Sequence, residues 1–223
     1  MGLKKIGDNV FWFFGKGKLL VSKNLVSGDS VYGEKLIKID KDEYREWIPA
    51  RSKLSAAFYN GLKAAPIREG SKVLYLGASS GTTVSHVSDI VGKTGEVYAV
   101  EISEEMGAQL ILLAESRKNI FPIIEDARKT EQYAKIVPKC DFLYQDVAQR
   151  DQVEIFIKNS NQFIKNGGYG ALAIKTKSVD VSKPSRFVID QTISALERNF
   201  SVIESINLYP YQRDHALIFV RKK

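Results

Sequence analysis

An α/β fold is predicted, with a seven-stranded, mostly parallel sheet whose last strand runs antiparallel and a small β-rich segment in front of it. Three observations predict it. In KVLYLGASSGTTVSHVSDIVG (72–92) an apolar run leads into a small-residue turn and then a helical stretch. Strand-like and helix-like segments then alternate as far as residue 199. Only Tyr209 to Asp214 joins the last two strand-like segments, whereas a parallel crossover takes about a dozen residues or more.

The first fifty residues read as a small antiparallel platform. Val10–Phe14 and Lys18–Ser22 flank Gly15 and Gly17, as a hairpin would. Ser30–Tyr32 and Lys35–Ile39 are expected as further strands, then a turn at Asp40–Asp42 and a strand from Tyr44 to Trp47. Pro49 closes the segment, which is small enough to need packing on the rest of the chain. From Ser52 to Ala64, Leu54, Ala57, Phe58 and Leu62 recur at helical spacing, with Ser52 as N-cap. Lys53 then falls in the first turn, where the helix dipole disfavours a cation, a hint that it is kept for function.

Beyond Gly70, strands are expected at 72–77, 96–101, 120–125, 140–145, 169–175, 201–208 and 215–221. Helices are expected between the first six, at 82–91, 103–118, 128–136, 150–165 and 184–199. Such alternation implies a parallel sheet covered on both faces. Six parallel strands followed by a reversed seventh is the plan of class I methyltransferases (Rossmann-like) rather than of dinucleotide dehydrogenases. Residues 1–50 are therefore expected as a β-rich N-terminal domain and 51–223 as the methyltransferase domain.

Composition narrows the chemistry. With 44% hydrophobic and 26% charged residues the chain is of ordinary globular type, and no apolar run is long enough to span a bilayer. The N-terminus lacks the features of a signal peptide, so a cytoplasmic protein with no membrane association is expected. One cysteine, Cys140, rules out an internal disulfide and a cysteine cluster, and two histidines are too few for a histidine-rich metal centre. No metal is expected, and any cofactor is organic. The net charge of +7 raises the odds of a polyanionic partner.

In open α/β sheets, ligands bind beyond the carboxyl ends of the strands. The first four strands end at Gly77, Glu101, Asp126 and Asp146. A carboxylate at such an end is often only a helix cap, but three in register make a pattern. Glu101 lies 20 residues after Gly81, a spacing suited to ribose hydroxyls. Asp126, followed by Ala127, can accept from an adenine amino group, and Asp146 would sit near a sulfonium. The turn is off-pattern for G-x-G-x-x-G, since Ser79 stands where a second glycine is usual. Lys175 ends the fifth strand, His215 begins the reversed seventh, and Lys53 starts a helix antiparallel to the first strand. Topology thus brings Lys53, Asp146, Lys175 and His215 to one edge. Such a group can remove a proton from a weakly acidic hydroxyl during methyl transfer. His86, mid-helix among valines, is read as a core residue with no role.

The chain resembles the archaeal fibrillarin family over nearly its whole length. The resemblance rests on KNLVSGDSVYGEKLIK, EYREWIPARSKLSAA, VLYLGASSGTTVSHVSDIVG, EDARKTEQY, QDVAQRDQ, GGYGALAIKTKSVDV and INLYPYQRDHALIFVRK. It implies an S-adenosylmethionine-dependent 2′-O-methyltransferase, the catalytic subunit of a box C/D guide-RNA particle acting on ribosomal or transfer RNA. Cofactor contacts implied by it are Gly77 and Ala78 in the turn, Thr82 and Thr83, Glu101 and Ile102, Asp126 and Ala127, and the run Asp146, Val147, Ala148 and Gln149. The family's catalytic lysine, aspartate, lysine and histidine fall on Lys53, Asp146, Lys175 and His215. Implied partners are a Nop-domain coiled-coil scaffold protein, a kink-turn-binding protein of ribosomal type, the guide RNA and the substrate RNA. Rival expectations are an inert particle subunit, a protein (glutamine) methyltransferase and a nicotinamide-dependent oxidoreductase. The reversed last strand and the absent middle glycine count against the last of these.

Overall fold

The computed structural model describes residues 2–223. Its N-terminal sheet contains β1 (Gly2–Gly7), β2 (Val10–Phe14), β3 (Lys18–Lys23), β4 (Leu36–Ile39) and β5 (Asp42–Glu46) in the order β1-β2-β3-β5-β4. The expected hairpin is present, with Val10 opposite Ser22 and Phe14 opposite Lys18. Alternation divides its aromatics, placing Trp12 in the main core and Phe13 in a small cluster with Val21, Ile37 and Tyr44. Phe14, at the end of β2, is exposed.

Two expectations here need correction. β1 was not foreseen, because a lysine-rich, partly exposed edge strand has little apolar alternation to show. Conversely, Ser30–Tyr32 is not a strand. The N–H groups of Val31 and Tyr32 donate to the Glu34 carboxylate at 3.0 and 2.8 Å, which holds the segment as a loop.

The larger sheet holds β6 (Lys72–Leu76), β7 (Glu96–Glu101), β8 (Ile120–Ile124), β9 (Cys140–Gln145), β10 (Ile164–Lys175), β11 (Phe200–Asn207) and β12 (His215–Lys222). Their order is β11-β12-β10-β9-β6-β7-β8, with β12 antiparallel to both neighbours and the other six strands parallel. Alternate residues of β6 face opposite layers: Val73 and Tyr75 enter one apolar cluster, Leu74 and Leu76 the other. The helices are α1 (Lys53–Tyr59), α2 (Thr82–Val91), α3 (Glu104–Ser116), α4 (Thr130–Tyr133), α5 (Gln152–Phe163), α6 (Thr176–Val179) and α7 (Ser185–Leu196). No helix is long and apolar enough to cross a membrane among the described residues.

Several boundaries differ from expectation for visible reasons. α1 stops at Tyr59 because Asn60 turns its amide to the carbonyls of Asn207 and Tyr209, at 2.7 and 2.8 Å, and Gly61 takes φ of 109°. α4 is one turn instead of 128–136, since Asp126 Oδ1 captures the N–H of Arg128 at 2.9 Å and holds a tight turn. β10 begins five residues early, through an irregular stretch containing Gly167 at φ 73°.

A buried ionic network fastens the small sheet to α2. Arg45 of β5, fully buried, donates to Glu34 at 2.6 Å, to Asp89 at 2.9 Å and to Ser85 at 2.9 Å. Arg117 donates to the other oxygen of Asp89 at 2.6 Å. Two cations thus face two carboxylates in the interior, an arrangement tolerable only because the charges and hydrogen bonds are matched. His86 lies inside it, its ring nitrogens on Ser22 Oγ (2.7 Å) and Tyr32 Oη (2.8 Å) and its ring stacked on Trp47. Burial, reinforced by Arg45 and Arg117, pushes its pKa well down and keeps it neutral. It is a satisfied core histidine.

Candidate active site

The turn after β6 is built by close backbone approach. Gly77 has φ of 80°, and a Cβ there would collide with the carbonyl oxygen of Asp146. Gly77 and Ala78 both donate to the Val100 carbonyl, at 2.9 and 3.1 Å. Ser79, lacking glycine's freedom, still adopts φ of 50°. Its N–H donates to Glu101 Oε2 at 2.7 Å, a charge-assisted bond that offsets the strain. The missing middle glycine is therefore no obstacle to the turn.

Beyond this turn lies a cleft of about 620 Å³, counting space open to solvent, a size suited to a small organic ligand. Gly77, Glu101, Asp126 and Asp146, expected at strand ends, line it together with Ile102, Ala127, Val147, Ala148 and Gln149. Three further expected residues are not part of this lining. Ala78 is buried in the main core, Thr83 gives its hydroxyl to Ser52 Oγ at 3.0 Å, and Thr82 lines a separate cleft with Tyr32 and Arg51.

Glu101 is almost buried, yet its oxygens hold only the N–H groups of Ser79 and Ser103, at 2.7 and 2.9 Å. A carboxylate has about four acceptor positions, so lone pairs remain for hydroxyl donors. Beside it Ile102 is 58% exposed, an apolar surface that a flat heterocycle could cover. Ser79, Glu125 and Arg128 also line the cleft and were missed. Arg128 grips Asp151 with two bonds of 2.7 Å and reaches Gln149 Oε1 at 3.2 Å. Nothing local in DARK announces that partner, which is 23 residues away.

The predicted catalytic group converges. Ser52 caps α1 by accepting from the Ser55 N–H at 3.4 Å, which sets Lys53 at the helix start. The half-buried Lys53 ammonium lies 2.7 Å from Asp146 Oδ2, and this contact compensates its unfavourable place on the helix dipole. Lys175, the last residue of β10, is paired directly with His215, the first residue of β12. His215 Nδ1 lies 2.5 Å from the Arg213 carbonyl oxygen, which can only accept, so Nδ1 carries the proton. Burial lowers the His215 pKa; Lys53 and Lys175 push the same way, against the Arg213 carbonyl and Asp146. The neutral imidazole thus keeps a free lone pair on Nε2.

Comparison with known proteins shows the family. The Fibrillarin family model matches residues 3–223. A fibrillarin-like rRNA/tRNA 2′-O-methyltransferase of Thermococcus onnurineus is 51% identical over 203 residues, covering 91% of this chain and 90% of that protein. Aeropyrum pernix fibrillarin, solved with natively bound S-adenosyl-L-methionine, superposes with a TM-score of 0.87 at 38% identity, over 98% of this chain and 99% of that one. A fibrillarin chain solved in complex with Nop5p gives 0.90 at 38% identity, over 99% and 100%. On sequence and fold, the chain belongs to the fibrillarin family.

Proposed function

We propose that this protein transfers a methyl group from S-adenosylmethionine to a ribose 2′-oxygen of ribosomal or transfer RNA. The observation that carries the reading is the Lys53–Asp146 contact at 2.7 Å, close to His215 and its strand partner Lys175, with Asp146 also lining the Glu101 cleft. The cleft fits that cofactor: Glu101 offers lone pairs to ribose hydroxyls, Ile102 and Ala127 an apolar seat for adenine, and Asp126 an acceptor for its amino group. The side-chain-free Gly77 lets the Asp146–Gln149 run close over the methionine side.

When bound, S-adenosylmethionine supplies a sulfonium methyl, whose C–S bond breaks as a C–O bond forms to the ribose O2′. That hydroxyl is weakly acidic and must lose its proton. His215 Nε2 is the lone pair the site offers for it, and Lys53 and Lys175 stabilise the negative charge developing on O2′. Asp146 holds Lys53 in place and adds negative charge near the sulfonium. The cleft beside His215 is walled by Tyr209, largely exposed, and Arg213, whose guanidinium makes no ion pair among the described residues. An RNA strand approaching there meets an aromatic face and a cation.

By likeness to the chain solved with Nop5p, this protein works with a Nop-domain scaffold. A kink-turn-binding protein and a box C/D guide RNA complete the proposed particle, in the cytoplasm. Residues 1–50 form its small β-rich domain and 51–223 its methyltransferase domain. An inert subunit would have no need to keep Lys53 and Asp146 in contact. The test is transfer of labelled methyl to guide-matched RNA, with and without scaffold, kink-turn protein and guide. Label at one ribose 2′-oxygen, only in the complete particle, is expected. A complete particle that labels nothing would overturn the reading.

A further inference from the structure

The side chain of Gln152, at the start of α5, is wholly buried between the two halves of the site. Its Nε2 donates to the Gln149 carbonyl at 2.8 Å, and its Oε1 accepts the main-chain N–H of Lys175 at 3.2 Å. One neighbour can only accept and the other can only donate, so the amide has a single satisfactory orientation. Its own main chain is anchored as well, since Gln145 Nε2 donates to the Gln152 carbonyl at 2.5 Å.

The sheet explains why such a link is needed. β9 last pairs with β10 where Gln145 faces Leu172, and the chain then turns away into the cleft-lining run. The end of β10 therefore projects past its parallel neighbour, and the Lys175 N–H has no strand partner on that side. The Gln152 amide fills that place. On its other side it holds the main chain of Gln149, whose side chain Arg128 holds from across the cleft at 3.2 Å.

We propose that Gln152 is a positioning residue for methyl transfer. Its donor half sets the Asp146–Gln149 run against the cofactor, and its acceptor half sets Lys175 against the target ribose. This rests on the methyl-transfer reading of the site. It makes a divisible prediction, because the two halves of the amide can be removed separately. Gln152→Glu, in its carboxylate form, keeps the acceptor for Lys175 but removes the donor to Gln149; Gln152→Leu removes both.

The test combines calorimetric titration of each purified protein with S-adenosylmethionine and single-turnover transfer at saturating cofactor in the assembled particle. Thermal unfolding establishes that each variant is folded. Gln152→Glu is expected to weaken cofactor binding about tenfold, the scale of one unsatisfied buried acceptor, while its transfer rate stays within about twofold of wild type. Gln152→Leu is expected to weaken binding to a similar extent and also slow transfer by about tenfold or more. If Gln152→Leu does not fold, the split between binding and rate in Gln152→Glu decides alone. Folded variants with wild-type affinity and rate, or a Gln152→Glu that slows transfer without weakening binding, would overturn the assignment. A wild type with no affinity for the cofactor would overturn the reading of the cleft itself.

Discussion

His215 shows at the residue scale how little of its proposed catalytic role lies in residue type. The imidazole is tuned by the Arg213 carbonyl, which selects the tautomer, and by burial and two lysines, which lower its affinity for protons. Its neutral form is the one that can take a proton, and a lowered pKa keeps that form dominant at and above pH 6.5. Transfer should therefore lose activity through His215 only below pH 6.5, and His215→Gln should remove that acid limb while lowering the rate. A limb centred above pH 6.5, or one unmoved in His215→Gln, would contradict the role. The histidine's place was legible because it opens a strand whose direction the short 209–214 connection dictates. Its tautomer was not, since that depends on where a carbonyl two residues upstream points. Thr82 and Thr83 were marked by resemblance rather than by pattern: in the structure Thr82 lines a cleft with Tyr32 and Arg51, and Thr83 donates to Ser52 beside Lys53.

Among elements, the strand–turn–helix unit from β6 to α2 was the easiest to read, because apolar alternation, small residues and a helical run occur there in order. β1 and the Glu34 loop were hard for opposite reasons. β1 gains its place from pairing with β2 rather than from its own pattern. The 30–32 segment has strand-forming residues, but its N–H groups are captured by a carboxylate. The Arg45 network belongs to the same scale, since it joins β5, α2 and Arg117 beyond α3. Replacing Arg45 by Met leaves Glu34 and Asp89 buried with one cation fewer, which costs about 3–5 kcal/mol. For a chain of this size that corresponds to a fall in Tm of roughly 6–20 °C. Thermal unfolding checks it, and an unchanged Tm would show that the network contributes nothing net.

At the scale of the whole molecule, two sheets share one core. The Arg45–Asp89 contact and the shared core, in which Trp12 and Leu20 join Val84 and Val87, cross between residues 1–50 and the rest. A fragment beginning at residue 51 would expose that core face and leave Asp89 and Arg117 partly unmatched. It should show weaker unfolding cooperativity and a lower Tm than the full chain, measurable by denaturant titration; equal stability would mean the small sheet is only an appendage. Alternation and one short loop made the sheet direction legible along the chain. The joints were not legible, because Arg45, Asp89, Arg128 and Gln152 each bond to partners that local pattern does not reveal.

The central claim is that Lys175 acts on the reacting ribose and not on the cofactor. Lys175→Ala should be compared with wild type in two measurements on one preparation: calorimetric binding of S-adenosylmethionine and single-turnover methyl transfer in the complete particle. Binding within about twofold of wild type, with transfer slowed by about a hundredfold or more, is the predicted result. Transfer at the wild-type rate would contradict the claim, as would a loss of activity explained entirely by lost cofactor binding.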